Sequence, residues 1–134
     1  MADHPNAELI RKGYDAFAAG DMEWMNEHLD QNIVWHEPGS NVLSGDFKGR
    51  EAVLAHFASQ VQIFVPDFEL HDVVANDDHA IAMVSARATR QDNKETIETR
   101  YVHIFHVDAQ GRALESWVFN EDQPALDAFL EGLS

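Results

Sequence analysis

Cysteine is absent from the 134 residues, which excludes disulfides, thiolate nucleophiles and thiolate metal sites together. Basic residues are scarce: 9 Lys and Arg stand against 24 Asp and Glu, for a formal net charge of -15. So acidic a surface repels phosphate backbones and anionic lipid, which argues against nucleic-acid and membrane partners. No apolar run approaches the roughly 20 residues that a membrane-crossing helix needs. Met1-Ala2-Asp3-His4-Pro5 has neither the basic nor the apolar region of a signal peptide. The expectation is a soluble cytoplasmic protein. Hydrophobic residues make up 45% of the chain, enough for a core, and the length suits one domain spanning residues 1–134.

What is present falls into two blocks. Helical spacing places Leu9, Ile10, Gly13, Tyr14 and Phe17 on one face of a first helix, with Asn6 or Asp3 as its cap and Pro5 in its opening turn. Gly20-Asp21 ends that helix and caps a second, in which Met22, Met25 and Leu29 form a stripe. Asp30-Gln31-Asn32 breaks it, and Ile33–Glu37 reads as a first strand. Residues 39–49 read as loop with a short extended piece at Val42-Leu43, and a third helix starts near Arg50, with Val53, Leu54, Phe57, Ala58 and Val61 spaced for burial before Pro66 stops it. Four strands follow, Phe68–Ala75, Ala80–Arg90, Glu95–Val107 and Arg112–Phe119, separated by turn-rich Asn, Asp and Gly. A short helix capped by Asp122, with Pro124 at its start, ends the chain.

This segregation predicts an α+β fold, a curved and mostly antiparallel sheet wrapped over the helices. Both faces of the long strands carry apolar residues. Helices can cover one of them; the other calls for a second copy, hence a homodimer through the sheet.

Function centres on the end of the first strand. Alternation puts Ile33, Trp35 and Glu37 on one face, with Val34 and His36 on the other. A carboxylate closing an apolar strand is costly unless it faces a pocket, a partner or water. Bulky apolar neighbours would strip water from Glu37, as suits a general base; the competing reading has it bonded to loop amides near Asn41 or solvated. His103 alternates with Tyr101 and Phe105 and points wherever they do, as a donor or as a satisfied core histidine. His103 and His106 lie three apart on a strand, hence on opposite faces, so they are no metal pair.

The residues from Tyr14 to Gly20-Asp21, Val34-Trp35-His36-Glu37-Pro38-Gly39, Ser44-Gly45, Gly49-Arg50-Glu51, Phe105, Gly111-Arg112, Glu115-Ser116-Trp117 and Asp122 resemble the nuclear transport factor 2-like superfamily. Within it, the resemblance is to the SnoaL-like polyketide cyclase and ketosteroid isomerase branches. It implies a cone-shaped barrel with a deep apolar pocket, and a dimer built on the sheet. It further implies that Glu37 is the general base, that Tyr14 donates to a developing oxyanion, and that His103 stands where the isomerases carry a protonated acid. Asp122 resembles the acid that the cyclases carry after this strand; it is equally a helix cap. Trp35, Phe68, Phe105 and Trp117 would line a pocket for a ring-bearing ligand, unless they are simply core.

Two function classes stay open at this stage. One is a cofactor-independent, metal-free isomerase- or cyclase-type enzyme acting on a small apolar carbonyl compound. The other is a non-catalytic ligand-binding or partner-binding dimer. Water addition, as in epoxide hydrolysis, is a third reading; it needs carboxylates around Arg87 or Arg100.

Overall fold

The computed structural model describes residues 3–133. The elements run α1 (Pro5–Ala19), α2 (Met22–His28), β1 (Leu29–Glu37), β2 (Gly45–Lys48), α3 (Arg50–Ile63), β3 (Phe64–Ala75), β4 (His79–Arg90), β5 (Thr96–Val107), β6 (Ala113–Asn120) and α4 (Gln123–Phe129). Local chemistry sets most of the boundaries. Pro5 occupies the first turn of α1, so the cap falls on His4, whose Nδ1 accepts from the Asn6 amide, rather than on Asp3 or Asn6. The Asn6 side chain instead donates to the carbonyls of Asn76 and Asp77 across the fold. Gly20 takes a left-handed conformation at φ 69° to end α1, and the Asp21 carboxylate accepts from the Trp24 amide to open α2.

The strands form one sheet in the order β2-β1-β6-β5-β4-β3. Every neighbouring pair is antiparallel except β1 with β6. The sheet does not close: β2 and β3 are free edges. α1 packs on β3 and β4, while α3 touches β1 and β2 near one edge and β3 at the other, spanning the opening. The result is an α+β cone with its core between the sheet's inner face and the helices, where Ile33, Val53, Val84 and Val107 are buried. Among the described residues no helix is long and apolar enough to cross a membrane.

Several expectations need correcting. Asp30-Gln31-Asn32 does not separate α2 from the strand; β1 begins at Leu29 and absorbs these polar residues through a register shift between Leu29 and Val34. Val42-Leu43 is not extended, and the extra strand lies at Gly45–Lys48, paired with β1. Pro66 sits inside β3, which tolerates it because an edge strand needs no donor on its free side. In α3, Ala58 and Val61 are exposed, Val61 at 44%, and His56 is buried beside Val53 and Phe57 instead.

Candidate active site

β1 delivers Trp35 and Glu37 to the inner face, and Pro38-Gly39 then turns the chain away, with Gly39 at a φ of 90°. The Trp35 indole Nε1 donates to Glu37 Oε1 at 2.8 Å, and His56 Nε2 donates to the same oxygen at 3.2 Å. His56 comes from α3, is almost wholly buried, and stacks on Phe47 with ring centroids 4.0 Å apart. Glu37 Oε1 is thereby held from both sides. Its second oxygen has no protein partner among the described residues.

The same cavity is lined by a connected polar cluster. His103 of β5 is buried against Trp35 and Phe105, with centroids at 4.9 and 4.0 Å. Its Nδ1 is 2.9 Å from the Tyr14 hydroxyl and its Nε2 is 2.5 Å from Ser116 Oγ. The Tyr14 hydroxyl is in turn 3.2 Å from that of Tyr101. Burial drives the His103 pKa down to about 3, so the ring is neutral. Burial also raises both tyrosines, and the Glu37 charge adds to the rise, so both stay protonated at neutral pH.

Glu37, Tyr14, Tyr101 and His103 share the walls of one cavity of about 180 Å³, while His56 and Ser116 support them from behind the lining. Of the residues singled out in the sequence, Tyr14, Trp35, Glu37, Phe68, His103 and Phe105 line it. Among the described lining residues Glu37 is the one acidic residue, and there is no Lys or Arg.

Trp117 and Asp122 are not in the lining. The pairing of Phe105 with Ser116 and of His103 with Val118 turns Ser116 and Val118 inward and Trp117 outward. There Trp117 stacks on His36 at 5.7 Å. Asp122 caps α4 by accepting from the Ala125 amide. Arg87 and Arg100 lie on the sheet's outer face, Arg100 paired with Glu121, so neither can organise water addition within the cavity.

Three polar residues of the site escaped the sequence reading. Tyr101 shares its alternation with His103, so its inward position was legible although its role was not. Ser116 follows from β6 pairing. For His56 the position beside Phe57 signals burial, but nothing in the local pattern names a carboxylate 19 residues away.

The comparisons with known proteins agree with this architecture. Bal32a, from a soil-derived mobile gene cassette, is 32% identical, with 94% of this chain and 96% of that one covered and a TM-score of 0.82. An NTF2-like protein of Burkholderia xenovorans LB400 superposes with a TM-score of 0.87 at 19% identity over 98% and 99% of the two chains. IdmH of Streptomyces antibioticus, a candidate polyketide cyclase, gives 0.76 at 21% identity over 97% and 100%. The last two likenesses show the fold alone. Residues 10–116 match the model of the SnoaL-like domain, and the chain belongs to that family.

Proposed function

We propose a cofactor-independent isomerase- or cyclase-type enzyme in which Glu37 removes a proton alpha to the carbonyl of a small, apolar, ring-bearing substrate. The observation that carries this reading is the asymmetry of Glu37: one oxygen is fixed by Trp35 and His56, the other has no protein partner among the described residues, and the residue lines a cavity shared with the His103–Tyr14–Tyr101 cluster. A base must be held rigidly yet keep a lone pair for the substrate. An apolar chamber that holds hydrogen-bond donors along with that base suits an enolate, whose negative charge grows on oxygen as the C–H bond breaks. The electrons of that bond move toward the carbonyl oxygen, and the proton held on Glu37 returns to carbon to complete the turnover. IdmH, the candidate cyclase sharing the fold, is in keeping with carbonyl chemistry of this kind.

Size narrows the substrate. A cavity of about 150 Å³ accommodates benzene, so about 180 Å³ suits one substituted ring or a compact bicycle. A second copy packed on the outer face of the sheet belongs to the same proposal.

Deuterium exchange at the alpha carbon of small cyclic ketones and enones tests the chemistry. Exchange should be measurable with the native protein and fall about 10²–10⁴-fold in Glu37→Gln, with an unchanged circular dichroism spectrum. Saturable binding with no exchange, unaltered by Glu37→Gln, would favour a non-catalytic binding protein instead.

A further inference from the structure

The polar cluster has a direction, and that direction identifies which group meets the substrate. Ser116 is 0% exposed, and its hydroxyl has one hydrogen-bond partner among the described residues, His103 Nε2. Were Nε2 protonated and donating, the serine proton would be buried with no acceptor, a costly arrangement. Ser116 is therefore the donor and Nε2 is bare. Among the described residues no carboxylate hydrogen-bonds to His103, so its neutral ring carries its proton on Nδ1, which faces Tyr14. The Tyr14 oxygen accepts there, and its own proton is left with the Tyr101 oxygen as partner. Tyr101 then has a proton and no protein acceptor among the described residues.

We infer that Tyr101, not Tyr14 or His103, donates to a bound carbonyl oxygen, at the end of a one-way chain from Ser116 through His103 and Tyr14. The inference rests on the proposed role of the cavity and names the group that meets the substrate oxygen. Tyr14 and His103 become positioning residues: each spends its proton on the next member, and each donation polarises the one that follows. In the proton-removal step Glu37 takes the alpha hydrogen, the C–H pair moves into the adjacent carbon–carbon bond, and the carbonyl π pair moves to oxygen. There the Tyr101 O–H stabilises it by hydrogen bonding without giving up its proton. This reverses the order implied by the isomerase resemblance, in which Tyr14 meets the substrate.

The tautomer of His103 decides the chain's direction without any ligand. Nitrogen-15 NMR of the native protein should show His103 protonated on Nδ1 and bare on Nε2, unchanged from pH 8 to pH 5. A proton on Nε2 would overturn the inference. A second measurement uses cyclohex-2-enone bound to Glu37→Gln protein, where no proton can be removed. Its carbonyl stretch should be lowered from its value in hydrocarbon solvent. Adding Tyr101→Phe should restore that value, whereas adding Tyr14→Phe should leave most of the lowering in place; the opposite ranking sinks the idea. In protein retaining Glu37, Tyr101→Phe should slow alpha exchange about 10²–10³-fold, and more than Tyr14→Phe does. Absence of exchange in native protein that still shows the lowered stretch would remove the base role of Glu37 and leave the Tyr101 assignment standing.

Discussion

Glu37 Oε1 receives two donors of different origin. Trp35 belongs to the same strand and arrives with it; His56 reaches in from α3. Removing the second leaves the carboxylate held by Trp35 alone, on one side only. His56→Leu should lower kcat on the order of tenfold to a hundredfold with KM little changed, as expected when a reacting group is misplaced by an ångström or less. His56→Gln can present an amide N–H near the Nε2 position and should recover part of the loss, which a purely packing role would not predict. Two other histidines set opposite pH limits. His103 is depressed to about 3 by burial, so the unfolded chain binds a proton that the folded chain refuses. Stability should fall as pH drops below the ordinary histidine value near 6.5. His36 is raised by hydrogen bonds from its ring to Glu115 and then Asp46, at 2.6 and 2.7 Å. Its contribution is fully present below that same ordinary value and is lost as pH rises through the higher folded one. Thermal melts from pH 4 to pH 9 should therefore peak near neutrality. His103→Asn should flatten the acid limb by as much as one proton, and His36→Gln the alkaline limb.

At the scale of elements, the strands were legible because alternation and turn composition agree over long stretches, as in Ala80–Arg90. What could not be read depends on partners. Gly45–Lys48 has the composition of a turn and becomes a strand only by pairing with β1. The inward face of β6 depends on register, which is why Trp117 could not be placed from its own strand. His56 looks like an interruption of the α3 apolar face; its burial is made tolerable by Glu37 and Phe47, both outside its helix. The 38–44 loop and α4 are a further case. Asp127 of α4 accepts from the Ser40 amide and from the side chains of Asn41 and Gln123, at 3.2, 2.7 and 2.9 Å. Burial pushes the Asp127 carboxyl up, but these hydrogen bonds outweigh it and hold it below the ordinary carboxylate range. The tie is therefore intact at neutral pH and is lost as pH falls through that lowered value. Leu126 and Leu130 beside it line the cavity. Asp127→Ala should release the loop, seen as faster amide hydrogen exchange at residues 40–44 and faster dissociation of a bound cyclic enone. Unchanged exchange at the Ser40 amide would show that the loop holds itself.

For the whole molecule, the open question is the outer face of the sheet. Register aligns Ile81, Ile104 and Trp117 in one row and Met83, Val102 and Phe119 in the next, an unbroken apolar block three strands wide. Phe119 is 57% exposed. One side of this block is bounded by His79, His106 and Glu115, the other by Arg100 with Glu121. A rim of mixed sign permits a two-fold arrangement in which each copy's cation meets the other's carboxylate. The net charge of -15 works against any such pairing, because two copies repel at long range. The proposed dimer should therefore tighten as salt rises from about 10 to 150 mM, where the screening length falls from about 30 to 8 Å. Phe119→Glu, which adds a charge to each side of the apolar block, should shift the protein to monomer in sedimentation velocity while leaving its melting temperature near the native monomer's. A native chain that sediments as a monomer at every salt and concentration would overturn the dimer and show that no second copy covers this face.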